Sequence, residues 1–372
     1  MEKYFISKGN KYIIKDNKIL ELFNGGTIEP GKDEIIKVKE MIKNYGKDIF
    51  SSDRLNSIAK ENPELYKIDV LPEVLDMMEG FIKDEYLENF YENLRTVKFH
   101  IEDSTNDEDE KDYSVTGFHD TKTNTIVFNS DTFEFVRNSD AEKDKDFTTS
   151  YKIMIAHELF HLASYRNSSD GICYQGLNKY DQSSLKNHTV DIDEFRKVES
   201  FNEGTTELFA NFMYHRLDVN SYSDGYIESV RIVAQIVNMI GIQTLKKAYF
   251  DNLGIDYIKR NLCDIINSPD LFNELFDQMG IIIDFENIDE DIRCSSVIKI
   301  QNILLRYEKE YINKLRKSKI DDEIDGFVAV INKYFVGLWR DIDFLDEKDK
   351  ALANENRQLF YNLNAKEKTY KK

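Results

Sequence analysis

Of the six histidines in the chain, His157 and His161 stand four residues apart with Glu158 between them. They lie in the run Ile153-Met154-Ile155-Ala156-His157-Glu158-Leu159-Phe160-His161-Leu162-Ala163, which contains an H-E-x-x-H pattern. On a helix, side chains four apart share a face, so both imidazoles can point at one ion. Glu158 is turned about 100° from His157. It flanks a metal without ligating it, which is where a general base for an activated water belongs. The surrounding Ile, Leu, Phe and Ala residues predict a buried helix, whose polar groups need partners. The competing reading is a core helix with hydrogen-bonded histidines.

A catalytic zinc takes three protein ligands and keeps one position open. The metzincin extension would need Gly at 164 and His at 167, and the chain has Ser164 and Asn167 there. His188 and His215 stand without a supporting pattern. The remaining source is Phe201-Asn202-Glu203-Gly204-Thr205-Thr206-Glu207-Leu208-Phe209-Ala210. Glu203 and Glu207 share a helix face, so one can bind metal while the other accepts a hydrogen bond from a ligand imidazole. Ser200-x-x-Glu203 also reads as a capping box, with Glu203 serving its own helix start.

H-E-x-x-H followed by N-E-x-x-x-[D/E] resembles the gluzincin metallopeptidases, the thermolysin-like clan, and a looser set of uncharacterised bacterial zincin-like proteins. The resemblance spans roughly residues 96–250. It implies Zn2+ held by His157, His161 and Glu203, with Glu158 as the general base. Glu207 matches the acid that orients a ligand histidine, where the family more often has Asp. The family's sheet pairs an edge strand with extended substrate, by strand addition. Many gluzincins also stabilise the oxyanion with a Tyr or His from a later segment. Tyr226, after Gly225 at the start of a predicted helix, is the first choice; Tyr222 comes second and His215 is a further possibility.

A length of 372 residues suggests two or three structural units. With 41% hydrophobic and 12% aromatic residues, the chain can bury a sizeable core. No stretch approaches the ~20 apolar residues of a membrane span, and the N-terminus lacks the apolar run of a secretory leader. Cys173, Cys263 and Cys294 are odd in number and widely spaced, as expected of free thiols in a reducing compartment. The net charge of −19 disfavours nucleic acid and anionic membrane as partners. The expectation is a cytoplasmic protein whose partner is a peptide or protein substrate.

The elements that must position these residues follow from periodicity. Residues 3–23 read as a small β-hairpin across Asp16-Asn17. Lys32–Tyr45 and Glu73–Arg95 read as helices, with Pro72 at the start of the second. Thr96–Ile101 alternates like a strand, and the acidic run Glu102–Asp112 reads as a solvated loop. Val115–Asp120 and Asn124–Asn129 predict a hairpin bearing His119. The first motif helix should start near Tyr151 and the second should run from about Phe201 to Leu217. The insert between them carries one possible strand, Ile172–Leu177. Helical spacing then continues through Ile227–Ile240, Val297–Arg316 and Ile324–Tyr361.

The expected fold is α+β and predominantly helical: a zincin-like catalytic unit with a small mixed β-sheet and an HExxH helix. Its expected divisions are a mainly helical N-terminal region with a small hairpin (1–95), the metallopeptidase domain (96–280) and a helical C-terminal region (281–372). The expected activity is zinc-dependent peptide hydrolysis. Two other readings stay open: a zincin-fold binding or regulatory protein without activity, and a metal-free helical interaction protein.

Overall fold

The computed structural model describes residues 3–7, 10–15, 18–23, 26–32, 35–36, 50–68, 70–82, 84–102, 117–130, 133, 136, 149–168, 171–181, 192–214, 227–283, 288–318, 321–334 and 346–369. The described residues are predominantly helical, with small sheets, and the fold is α+β. Contacts divide the chain into two units. One comprises Met1–Tyr165 and Ala210–Arg216, the other Arg166–Phe209 and Leu217–Lys372.

The first unit opens with four antiparallel strands in sequence order: β1 (Lys3–Ser7), β2 (Asn10–Lys15), β3 (Lys18–Phe23) and β4 (Gly26–Ile28). The expected hairpin is the middle pair of this meander, with Lys15 opposite Lys18. Helix α1 (Asp53–Glu61) follows, and the Ser52 hydroxyl accepts from the Arg54 and Leu55 amides at its start. The single helix expected over 73–95 is two, α2 (Leu71–Phe81) and α3 (Asp84–Leu94). Pro72 opens α2 as expected, and Ile82 ends it in an extended conformation (ψ 137°). The carboxylates of Asp84 and Glu85 favour a fresh helix start by complementing its positive N-terminal dipole.

A three-stranded mixed sheet comes next, from β5 (Lys98–Glu102), β6 (Gly117–Asp120) and β7 (Thr125–Asn129), in the order β5-β7-β6. β6 and β7 form the expected hairpin, and β5 pairs with β7 in parallel. Ile126, Val127 and Phe128 are all buried, so the central strand is covered on both faces. Asn124 turns the hairpin with φ 49°, a left-handed conformation that asparagine tolerates better than most residues. Helix α4 (Thr149–Ser164) packs against α2, α3 and β6.

In the second unit, β8 (Arg166–Asn167), β9 (Ile172–Gln175) and β10 (Asn178–Asp181) form an antiparallel sheet in the order β10-β9-β8. The insert therefore carries a full hairpin where one strand was expected. Helix α5 runs Ile192–Met213, so its last turn belongs to the first unit. It starts well before the expected Phe201. Ser200 and Glu203 thus lie inside the helix, and the capping-box reading falls: the Ser200 hydroxyl instead meets that of Ser229 at 2.9 Å.

The rest of this unit is a stack of helices: α6 (Ile227–Ile240), α7 (Ile242–Phe250), α8 (Gly254–Cys263), α9 (Pro269–Ile282), α10 (Glu290–Lys317), α11 (Asp321–Tyr334) and α12 (Glu347–Thr369). α10 complements its own dipole, with Glu290 and Asp291 in its first turn and Lys314, Arg316 and Lys317 in its last. The Asn356 amide ties α12 to the Ile298 carbonyl on α10 at 2.8 Å. The expected helix over 324–361 is again two, α11 and α12, and Trp339 lies outside the described residues. No described helix is long and apolar enough to cross a membrane. All three cysteines are free thiols, and burial pushes that of Cys294 up to about 11.

One buried acid stands out in α10. Glu308 is fully buried, and among the described residues neither carboxyl oxygen has a hydrogen-bond partner. Burial alone holds its pKa well above the usual carboxylate range. In acid, folded and unfolded chains both hold the proton. Above about pH 4.3 the unfolded chain releases it while the folded chain does not, so stability is lost as pH climbs toward the folded pKa. Glu308→Met should stabilise the protein by about 1–3 kcal/mol at pH ~8, by removing an unsatisfied buried polar group. The gain should shrink at pH ~5. Denaturant titrations at both pH values check this, and equal stabilities of variant and wild type would count against it.

Candidate metal centre

Helix α4 is buried from Ser150 to Ser164, apart from half-buried Lys152. A helix buried all round must have its terminal carbonyls satisfied by protein. Two asparagines on α3 do this. Asn89 donates its amide to the carbonyls of Ala163 (2.9 Å) and Tyr165 (3.0 Å). Asn93 donates to those of Leu162 (2.8 Å) and Tyr165 (2.9 Å). The Ser164 hydroxyl donates to the carbonyl of His161 at 2.9 Å. The edge-on contact of Phe81 with Phe160, ring centroids 5.4 Å apart, packs the same turn against α2. The backbone that carries His161 is thereby fixed on several sides.

His157 and His161 are both buried, with their Nε2 atoms 3.2 Å apart. Two nitrogens bound tetrahedrally to one zinc at about 2.0–2.1 Å lie about 3.3–3.4 Å apart, so this spacing fits a shared ion. It also fits a hydrogen bond between two neutral imidazoles of opposite tautomer. A carboxylate stands close to both imidazoles. His157, His161 and Glu203, all buried, each offer one ligand atom within 4.8 Å of the others. Two imidazoles and one carboxylate are a donor set that suits zinc and leaves a coordination position open. Glu203 and the two histidines thus form a buried group that could hold a metal ion.

Helix α5 sets Glu203 through close packing. Gly204 lies against the next helix: a Cβ there would meet the Ser229 carbonyl carbon at 2.7 Å, so no larger residue fits without moving backbone. The hydroxyls of Thr205 and Thr206 donate to the carbonyls of Phe201 (2.7 Å) and Asn202 (2.9 Å). Thr206 also meets the Tyr249 hydroxyl at 2.8 Å. Phe209 packs edge-on against the same Tyr249, with centroids 5.3 Å apart.

The other sequence candidates are placed as follows. Glu158 is buried beside His157 on α4, and Glu207 is buried one turn beyond Glu203 on α5; neither belongs to the triad. His119 on β6 is also buried outside the triad. Its Nε2–H donates to Asn124 Oδ1 at 3.0 Å, and its ring packs edge-on against Tyr165. Burial, opposed by the hydrogen bond to Asn124, pushes this imidazole down to about 4. Tyr226, Tyr222 and His215 lie outside the described residues.

Two further residues stand near Glu203: Tyr180, which pattern did not single out, and Asn202, the Asn of the N-E-x-x-x-[D/E] pattern. Tyr180 on β10 has its phenol pKa held well above the ordinary value, first by burial and then by the charges of Glu199 and Glu203. Asn202, fully buried, adjoins Glu203 itself. The sequence signal for Asn202 is its place in the N-E-x-x-x-[D/E] pattern, whereas Tyr180 lies beyond the predicted strand Ile172–Leu177. Comparison of the chain with protein-family models, with curated proteins and with solved structures finds no match.

Proposed function

We propose that the chain is a zinc-dependent peptidase built on a zincin-like unit, with His157, His161 and Glu203 as the metal ligands. The observation that carries this is the buried convergence of two imidazoles and one carboxylate. Sharing a cation would let two buried imidazoles and a buried carboxylate recover part of their desolvation cost. Zinc, when bound, supplies a Lewis acid that polarises a carbonyl and acidifies water. Glu158, next to His157 and buried, would take a proton from the attacking water and pass it to the departing amine. Glu207 would hold a ligand imidazole in its tautomer. Tyr226 is the proposed hydroxyl donor to the oxyanion, and a peptide or protein is the proposed substrate.

Metal analysis of the purified protein tests the ligand set first. Wild type should hold one zinc per chain, and His161→Ala should lose most of it. A wild type without zinc would leave the two histidines as hydrogen-bonded core residues. Full occupancy in His161→Ala would remove that residue from the set.

The base is tested separately. Glu158→Gln should keep zinc and lose peptide hydrolysis by at least about 100-fold in kcat. An active Glu158→Gln protein that retains its metal would rule out this mechanism.

For the oxyanion donor, Tyr226→Phe removes one hydroxyl and should lower kcat by roughly tenfold to thousandfold with zinc content unchanged. If kcat holds, Tyr180, which feels the charge of Glu203, is the next tyrosine to substitute.

A further inference from the structure

The β9–β10 hairpin grips the face of α5 that carries Glu199, Asn202 and Glu203. Its turn is fitted to Asn202. Gly176 has φ +60°, and a Cβ there would stand 2.2 Å from Asn202 Oδ1 and 2.5 Å from Tyr249 Cε2. Only glycine meets both the conformation and the space. The next residue, Leu177, donates its backbone N–H to Asn202 Oδ1 at 2.9 Å. Asn178 donates its amide to Glu199.

The Leu177 bond fixes which way the Asn202 amide points. Its oxygen is taken by the hairpin, so its NH2 end faces away, toward Glu203 Oε1 at 3.5 Å. Asn202 is fully buried, and its own carbonyl accepts from Thr206 on the same helix. The side chain thus links the backbone of the hairpin turn on one side with the proposed metal-binding carboxylate on the other.

We propose that Asn202 is a positioning residue for the third metal ligand, and that the Gly176-Leu177 turn holds Glu203 in its ligating orientation through it. This rests on the metal-site reading above. A carboxylate that donates one oxygen to a cation binds best when a fixed donor holds the other, because less rotamer freedom is then lost on binding. The hairpin inserted between the two motif helices acts as a clamp on the ligand.

The experiment compares zinc affinity, by competition with a chromogenic chelator, in wild type, Asn202→Ala and Asn178→Ala. Melting temperatures of the metal-free proteins and visible spectra of the Co2+-loaded proteins are read alongside. Asn178→Ala cuts a different tie of the same hairpin without touching Glu203. Asn202→Ala should lose about 10–100-fold in zinc affinity and alter the Co2+ spectrum. Asn178→Ala should lower the melting temperature while keeping the affinity and spectrum of wild type.

The proposal is overturned if Asn202→Ala keeps wild-type affinity and spectrum, or if both variants lose affinity equally, which would mean general loosening. If Asn202→Ala does not fold, Asn202→Asp takes its place, since it keeps an acceptor for Leu177 and puts a carboxylate oxygen where the amide donor stood. An unchanged Co2+ spectrum there also overturns it. A wild type that takes up neither metal removes the metal-site reading and this inference together, a result distinct from any failure of the variants.

Discussion

Burying polar groups in an apolar interior is the constraint that shapes the two motif helices. α4 is buried along nearly its whole length, and α5 from Ser200 to Asn211. Every polar atom on those stretches has lost water and needs a partner inside the protein. Asn89 and Asn93 answer for the end of α4, and Thr205 and Thr206 bond back to α5 itself. A network in the first unit extends this: the Asn124 amide donates to the Asn93 carbonyl, while its oxygen accepts from His119. The hairpin turn, α3 and the end of α4 are joined by asparagine amides, which offer donor and acceptor in one side chain.

Two buried glutamates show how differently the same cost can be met. Glu203 has an amide beside it and two imidazoles within reach of a shared ion. Glu308 has no hydrogen-bond partner among the described residues, and burial raises its pKa, which favours the protonated form. The first arrangement can recover desolvation free energy by ligating a cation. The second recovers none and remains a cost wherever the unfolded chain would ionise.

The parts legible in the sequence were those whose signal is local. The alternation of Gly117–Asp120 and Thr125–Asn129 announced a hairpin, and the apolar run around His157 announced a buried helix. The start of α5 was not legible, because its first turns are rich in charge (Asp193, Glu194, Arg196, Lys197, Glu199) and Ser200-x-x-Glu203 mimics a helix start. The break at Ile82 was hidden because the apolar spacing runs through it in phase. Glu308 sits in Tyr307-Glu308-Lys309-Glu310, which reads as a solvated face; only the packing of α10 turns it inward. The partnership of Asn202 with Leu177 depends on the fold of an insert that carries no motif.

That insert explains the wide separation of the two motifs. A direct connection would leave the face of α5 around Glu199, Asn202 and Glu203 without the groups that now bond to it. The hairpin brings a backbone N–H, the Asn178 amide and the Tyr180 phenol to that face. Gly176 and Gly204 allow two close approaches to the same helix, one from the hairpin turn and one from α6. A helix held this closely on two sides leaves its side chains few rotamers. Glu203 thereby gives up side-chain freedom on folding, which would preorganise it for the proposed role as a metal ligand.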